Sequence, residues 1–111
     1  AHGFLAGGYP RPTRFARSDW RSRLTPEEIS ARVERVDELR FLRRGERSLA
    51  QAALQFVLAH PAVSTTIPGF RNEEQVEDLV GALDVPALSD IEVARARELG
   101  REWSRPVPAD A

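Results

Sequence analysis

One strand-like segment in an otherwise helical chain is the feature that most restricts what this sequence can fold into. Residues 62–67, AVSTTI, are rich in β-branched side chains and lie between Pro61 and Pro68, the pattern of a bounded strand. A lone strand leaves its N–H and C=O groups unpaired, and a stable sheet needs at least two or three strands. The segment before it, LAQAALQFVLA, is apolar on nearly every side, and the segment after it is amphipathic. A strand between two such helices belongs to an α/β architecture. Its neighbouring strands are expected to come from sequence beyond this chain or from another molecule.

Four helix starts share one grammar. Thr25-Pro26-Glu27-Glu28 offers an N-cap hydroxyl, a proline at the first helical position and a glutamate at the third. Ile29, Val33, Val36, Leu39 and Leu42 follow at helical spacing, and Gly45 is expected to close that helix. Ser48 opens a second helix that ends at His60-Pro61 and is expected to be deeply buried. Asn72-Glu73-Glu74-Gln75 opens a third, with Val76, Leu79, Val80 and Leu83 on one face, and Ser89-Asp90-Ile91-Glu92 opens a fourth that runs to Gly100. Residues 1–24 carry Gly, Pro, Arg and four aromatics without a helical or alternating period, so they read as a long loop. The organisation is then a loop over 1–24, two helices over 25–60, a strand at 62–67, C-terminal helices over 72–100 and a Pro-rich tail at 103–111.

Composition removes several function classes. Net charge is −1, and the 16 basic residues, all Arg, alternate with 17 acidic ones, so no basic stripe marks a nucleic-acid partner. Cys is absent, which excludes disulfides, thiolate metal sites and a cysteine nucleophile. The lone histidines His2 and His60 do not make a metal site. No apolar run approaches the ~18 residues of a membrane span, and no signal-peptide pattern opens the chain, so a cytoplasmic setting is expected. Met is absent even at position 1, and the chain is expected to be an excerpt of a longer product. A helix-turn-helix reader over 25–60 fails because helix 48–60 carries no Arg or Lys.

The stretch STTIPGFRNEEQ, residues 64–75, concentrates the chemistry. In parallel α/β folds, ligands gather at strand C-termini, where the βα-loops converge. Here Pro68 stops the strand, Gly69 permits close backbone approach, and Asn72 caps a helix whose first free N–H groups point outward. Arg71 adds a planar cation suited to phosphate oxygens, and Gln75 stands one turn into the helix. A second account of the same residues is purely structural. Asn72 and Gln75 make a capping box without any ligand, and Arg71 pairs with Glu73 or Glu74.

SLAQAALQFVLAHPAVSTTIPGFRNEEQVEDLVGALD, residues 48–84, resembles the C-terminal part of an aldo/keto reductase. The opening AHGFLAGGY resembles the segment after that family's seventh strand, and a long loop and a Thr-Pro-Glu-Glu helix follow as they do there. The resemblance implies the C-terminal segment of a (β/α)8 TIM barrel and an NADP(H)-dependent oxidoreductase acting on aldehydes or ketones. It places Arg71 on the 2′-phosphate of the adenosine ribose, Gly69 and Phe70 along the cleft, Gln75 and Asp78 beside the adenine end, and Ala1, His2 and Gly3 near the pyrophosphate. Leu79 stands where the family pattern carries an adenine-facing Asn, and Gly8 where a Lys is common. Both changes reduce the implied grip on the cofactor.

The resemblance also puts the family's catalytic Asp, Tyr, Lys and His upstream of Ala1. This chain holds no Lys, and its one tyrosine, Tyr9, has no lysine beside it. No catalytic residue is therefore expected here, and the chain alone should be inactive. Two accounts follow: the cofactor-binding part of an NADP(H)-dependent carbonyl reductase, or a non-catalytic helical interaction module derived from the same family. The apolar faces of the first two helices predict self-association for the isolated segment.

Overall fold

The structure, a computed structural model, describes Leu5 and residues 15–104. Four α-helices lie within them: α1 (Pro26–Glu38), α2 (Leu49–Leu58), α3 (Glu73–Val80) and α4 (Asp90–Trp103). All four predicted N-caps are in place. Thr25 Oγ1 accepts from Glu28 N at 3.1 Å while Glu28 Oε2 accepts from Thr25 N at 2.7 Å. Ser48 with Gln51 and Ser89 with Glu92 form the same reciprocal pair. Each such box satisfies two backbone donors that a helix start leaves open.

The predicted strand is the main correction. Among the described residues there is no strand, and 62–67 runs as a turn followed by irregular backbone. No strand among the described residues offers it a ladder, and Ile67 at its end is 94% exposed. β-branched composition alone does not hold a strand without a partner.

Helix boundaries also move. α1 stops at Glu38 and gives way to a 3-10 turn at Arg40–Leu42 rather than continuing to Gly45. The i→i−3 bonds Leu42 N to Leu39 O and Arg43 N to Arg40 O tighten the chain there. Leu42 thereby leaves the α1 stripe and joins Leu49, Ala52 and Ala96 in the main apolar cluster. Gly45 adopts φ +58°, a left-handed turn that suits glycine. α4 runs past Gly100 to Trp103. The expected loop over 1–24 contains, in its described part, a 3-10 turn at Trp20–Arg23.

A second small cluster, Ile29 and Val33, is covered by Phe15, Leu24 and Val36. Here the loop before α1 becomes ordered. Arg21 is buried, lies 4.2 Å from the Phe15 ring centroid, and donates from Nη2 to Asp19 Oδ2 at 2.6 Å and from Nε to Oδ1 at 3.0 Å. The stacked ring and the paired carboxylate together make burial of that guanidinium tolerable.

α2 is less uniformly buried than its composition predicts. Ala52 is fully enclosed, yet Val57 is 41% exposed, and two glutamines share the buried side with Leu49. Gln51 Nε2 donates to Asp78 O at 2.7 Å, and Gln55 Nε2 donates to Ala82 O at 3.0 Å and Pro86 O at 3.2 Å. These amides satisfy carbonyls at the end of α3 and in the turn after it, so polar side chains tie α2 to that hairpin. Gln55 Oε1 is buried without a partner among the described residues.

The join between the α1–α2 turn and α4 is ionic. Arg47 Nη2 donates to Glu92 Oε2 at 2.5 Å, Nε to Leu42 O at 2.8 Å and Nη1 to Pro86 O at 3.3 Å. Both side chains are buried. Burial by itself would raise the Glu92 pKa and is the largest influence on it. The Ser89 N–H and the Arg47 charge together outweigh that penalty and hold the carboxyl below its ordinary value. No helix among the described residues is long and apolar enough to cross a membrane.

Two stability predictions follow from these ties. Because the folded pKa of Glu92 is depressed, its contribution is complete above the ordinary value of 4.5 and is lost as pH falls through the folded value. Thermal melts should therefore weaken as pH drops below about 4.5, and Glu92→Gln should flatten that slope. At neutral pH the same variant should cost about 3 kcal/mol, because it strands the buried Arg47 charge. The second concerns Gly81, where a Cβ would stand 2.8 Å from Gln51 Nε2. Gln51 is pinned at both ends of its amide, by Ser48 N and Asp78 O, so it has no room to retreat. Gly81→Ala should lower stability by about 1–2 kcal/mol in denaturant titration, despite the better helix propensity of alanine.

Candidate anion-binding site

The loop from Ile67 leads into α3, and its last residues form a compact cap. Asn72 has extended backbone (φ −150°, ψ 170°), and its Oδ1 accepts from Gln75 N at 2.9 Å. The Gln75 side chain does not return to the Asn72 N–H as a capping box would. It reaches one residue further back, where Oε1 accepts from Arg71 N at 2.6 Å. The two side chains thus fix the backbone on both sides of the helix start. The N–H groups of Glu73 and Glu74 are first-turn donors with no intrahelical acceptor.

Arg71 is exposed, and its guanidinium makes no hydrogen bond or ion pair among the described residues. The pairing with Glu73 or Glu74 that the sequence allows does not form. One nearby carboxylate, Asp19, is claimed by Arg21. The Arg21 side-chain hydrogen bonds, the Arg21 backbone N–H and the Arg21 charge, with a smaller part from Arg71, hold the Asp19 pKa down to about 2 against the opposing effect of burial. The acid of the ordered loop before α1 is thus taken up by Arg21. What the described residues place at the α3 N-terminus is a planar cation, open backbone donors and the positive end of a helix dipole, which together suit an anion.

The other residues of the predicted site separate into three groups. Gly69 and Phe70 adjoin Arg71 in the loop, with open space around Gly69 and Phe70 62% exposed. Asp78 lies on α3, and its carboxylate accepts from Ser48 Oγ at 3.0 Å. Its backbone carbonyl takes the Gln51 amide, so Asp78 serves the α2–α3 contact. Ala1, His2 and Gly3 lie outside the described residues. His60 is exposed, and its Nδ1 accepts from Ala62 N at 3.1 Å in the turn after α2. Among the described residues no cluster of three or more His, Cys, Asp or Glu is placed to hold a metal.

Two cavities lie elsewhere. A cleft of about 610 Å³ runs between α2, α4 and the 3-10 turn, lined by Leu39, Leu42, Leu49, Phe56 and Trp103 among others. A second, of about 450 Å³, surrounds the Arg47–Glu92 pair. Neither includes residues 69–75. Sequence reasoning found that corner through the Pro-Gly-x-Arg-Asn run. It missed the Arg47–Glu92 pair, because only half of it was visible as the Ser89–Glu92 capping box.

The family model described as aldo/keto reductase family matches residues 1–101, and the chain belongs to that family. Comparison with curated proteins and with solved structures gives no match. Membership implies a TIM-barrel architecture and oxidoreductase ancestry, and aldo/keto reductases generally use NAD(P)H.

Proposed function

We propose that this aldo/keto reductase chain is the C-terminal, cofactor-binding part of an NADP(H)-dependent reductase of aldehydes or ketones. The observation that carries the reading is the state of Arg71. Its backbone N–H is bonded to Gln75, while among the described residues its guanidinium has no hydrogen-bond or ion-pair partner at a helix N-terminus. The donor set fits a 2′-phosphate: a planar cation, first-turn N–H groups and, among the described residues, no carboxylate bonded to Arg71.

NADPH, when bound, supplies the hydride for carbonyl reduction. The residues of this chain bind and orient. Arg71 takes the phosphate charge, Phe70 and Gly69 flank the nucleotide, and Gln75 stands one turn into the helix on the adenine side. Asp78 contributes through packing. Catalytic groups and the carbonyl pocket belong to the complete barrel, and neither nucleic acid nor membrane is a partner. A cytoplasmic setting goes with this reading.

The exposed apolar residues support the same account. Ile67, Phe70, Val80, Leu83 and Ile91 are each more than half exposed, and no large side chain among the described residues is fully buried. Surface of this kind calls for a cover. In a barrel, neighbouring strands and helices supply it, and in the isolated segment self-association would.

Arg71→Ala in the protein carrying this chain should weaken NADPH binding by about 1–3 kcal/mol, the worth of a charge-assisted hydrogen bond, and leave NADH nearly unchanged. Fluorescence titration with both nucleotides measures this, and equal losses would remove the 2′-phosphate assignment.

A further inference from the structure

The cleft between α2, α4 and the 3-10 turn has the size and wall chemistry of a ligand site. Its volume of about 610 Å³ lies inside the range of small-molecule pockets, which are mostly apolar with a few polar groups that fix orientation. Leu42, Leu49, Phe56 and Trp103 supply apolar walls from all three elements. Arg35 steadies the Trp103 wall, its guanidinium 5.7 Å from the ring. Arg97 and Arg101 line the same cleft. Both are exposed, and neither makes a hydrogen bond or ion pair among the described residues. They stand four residues apart on α4, a like-charge spacing that is unfavourable by itself and that an anion relieves. Glu98 and Glu102 lie on the same helix but line no part of the cleft, and the nearby Arg95 is occupied by the Phe41 ring at 4.4 Å. The exposed apolar residues from Ile67 to Ile91 that a barrel would cover also lie outside the cleft walls.

We propose that this cleft binds a free fatty acid, with the acyl chain along the leucine, Phe56 and Trp103 walls and the carboxylate between Arg97 and Arg101. An unbranched chain gains from every methylene it buries against such walls and asks them for no hydrogen bond. The carboxylate matches the planar fork of a guanidinium, and two forks stand at one edge of the cleft. Size separates this occupant from an acidic helix of a partner protein. A helix ~10 Å across would exceed the volume of the cleft in fewer than about two turns. The cleft shares no residue with the Arg71 corner, so failure of either assignment leaves the other standing.

The test is calorimetric titration of the protein carrying this chain with monomeric octanoate and decanoate, and with 1-decanol as the neutral control. Affinity should rise about fourfold for each methylene added between octanoate and decanoate. Decanoate should bind about tenfold tighter than 1-decanol, the worth of a charge-assisted contact. Replacing both arginines, Arg97→Gln with Arg101→Gln, should remove that preference and leave 1-decanol unchanged. Both side chains are exposed, so the fold survives their loss. Ala53→Leu, which narrows the cleft from the α2 side, should weaken all three ligands by at least about fivefold, with the far-ultraviolet circular dichroism spectrum unchanged. No binding of decanoate, or equal affinity for decanoate and 1-decanol, would overturn the assignment. Decanoate binding that survives either the double arginine variant or Ala53→Leu places the ligand in another pocket and overturns it too.

Discussion

The buried Arg47–Glu92 pair is the interaction on which the rest of the arrangement depends. One guanidinium reaches the carbonyl of Leu42, the carbonyl of Pro86 and the Glu92 carboxylate. It thereby fixes the α1–α2 turn, the α3–α4 loop and the start of α4 at one point. Glu92 divides its two oxygens between Ser89 N and Arg47, so the helix cap and the tertiary tie are the same group. Two desolvated charges are costly unless every remaining donor and acceptor finds a partner, and here the backbone carbonyls supply them. Leu42, Leu49, Ala52 and Ala96 pack close to this junction, each large member adding about 1.5–3 kcal/mol of burial when fully enclosed.

Polar ties carry an unusual share of the cohesion. Gln51 and Gln55 knit α2 to the end of α3 and the following turn, and Ser48 reaches Asp78. The apolar clusters are small, and much of the aliphatic surface at Ile67, Leu83 and Ile91 remains outside them. A set of helices joined by directional bonds keeps its geometry while these exposed apolar side chains stay available for further packing. In the proposed barrel they would be covered by the rest of the fold.

Much of the local structure was legible in the sequence, because caps are local chemistry. Thr25, Ser48, Asn72 and Ser89 each cap the helix that their spacing to Glu28, Gln51, Gln75 and Glu92 predicts. What failed depended on distant partners. AVSTTI has strand composition without a ladder to join, and the periodicity through Leu42 did not show that this leucine belongs to another cluster. The Arg21 and Arg47 sites were unreadable for the same reason. Each is one arginine among 16, set apart only by what the fold brings to it. At the candidate site the residue types were readable, but the direction of the Gln75 side chain was not.

The central claim is that the corner at Arg71 recognises a phosphate on the ribose 2′ position. The most direct measurement is calorimetric titration of the protein carrying this chain with 2′-AMP and, separately, 5′-AMP, at low and moderate salt. The account predicts that 2′-AMP binds at least about tenfold tighter, the worth of one charge-assisted contact, with the advantage shrinking as salt screens the exposed guanidinium. Equal affinities for the two nucleotides, or no binding of either, would contradict it.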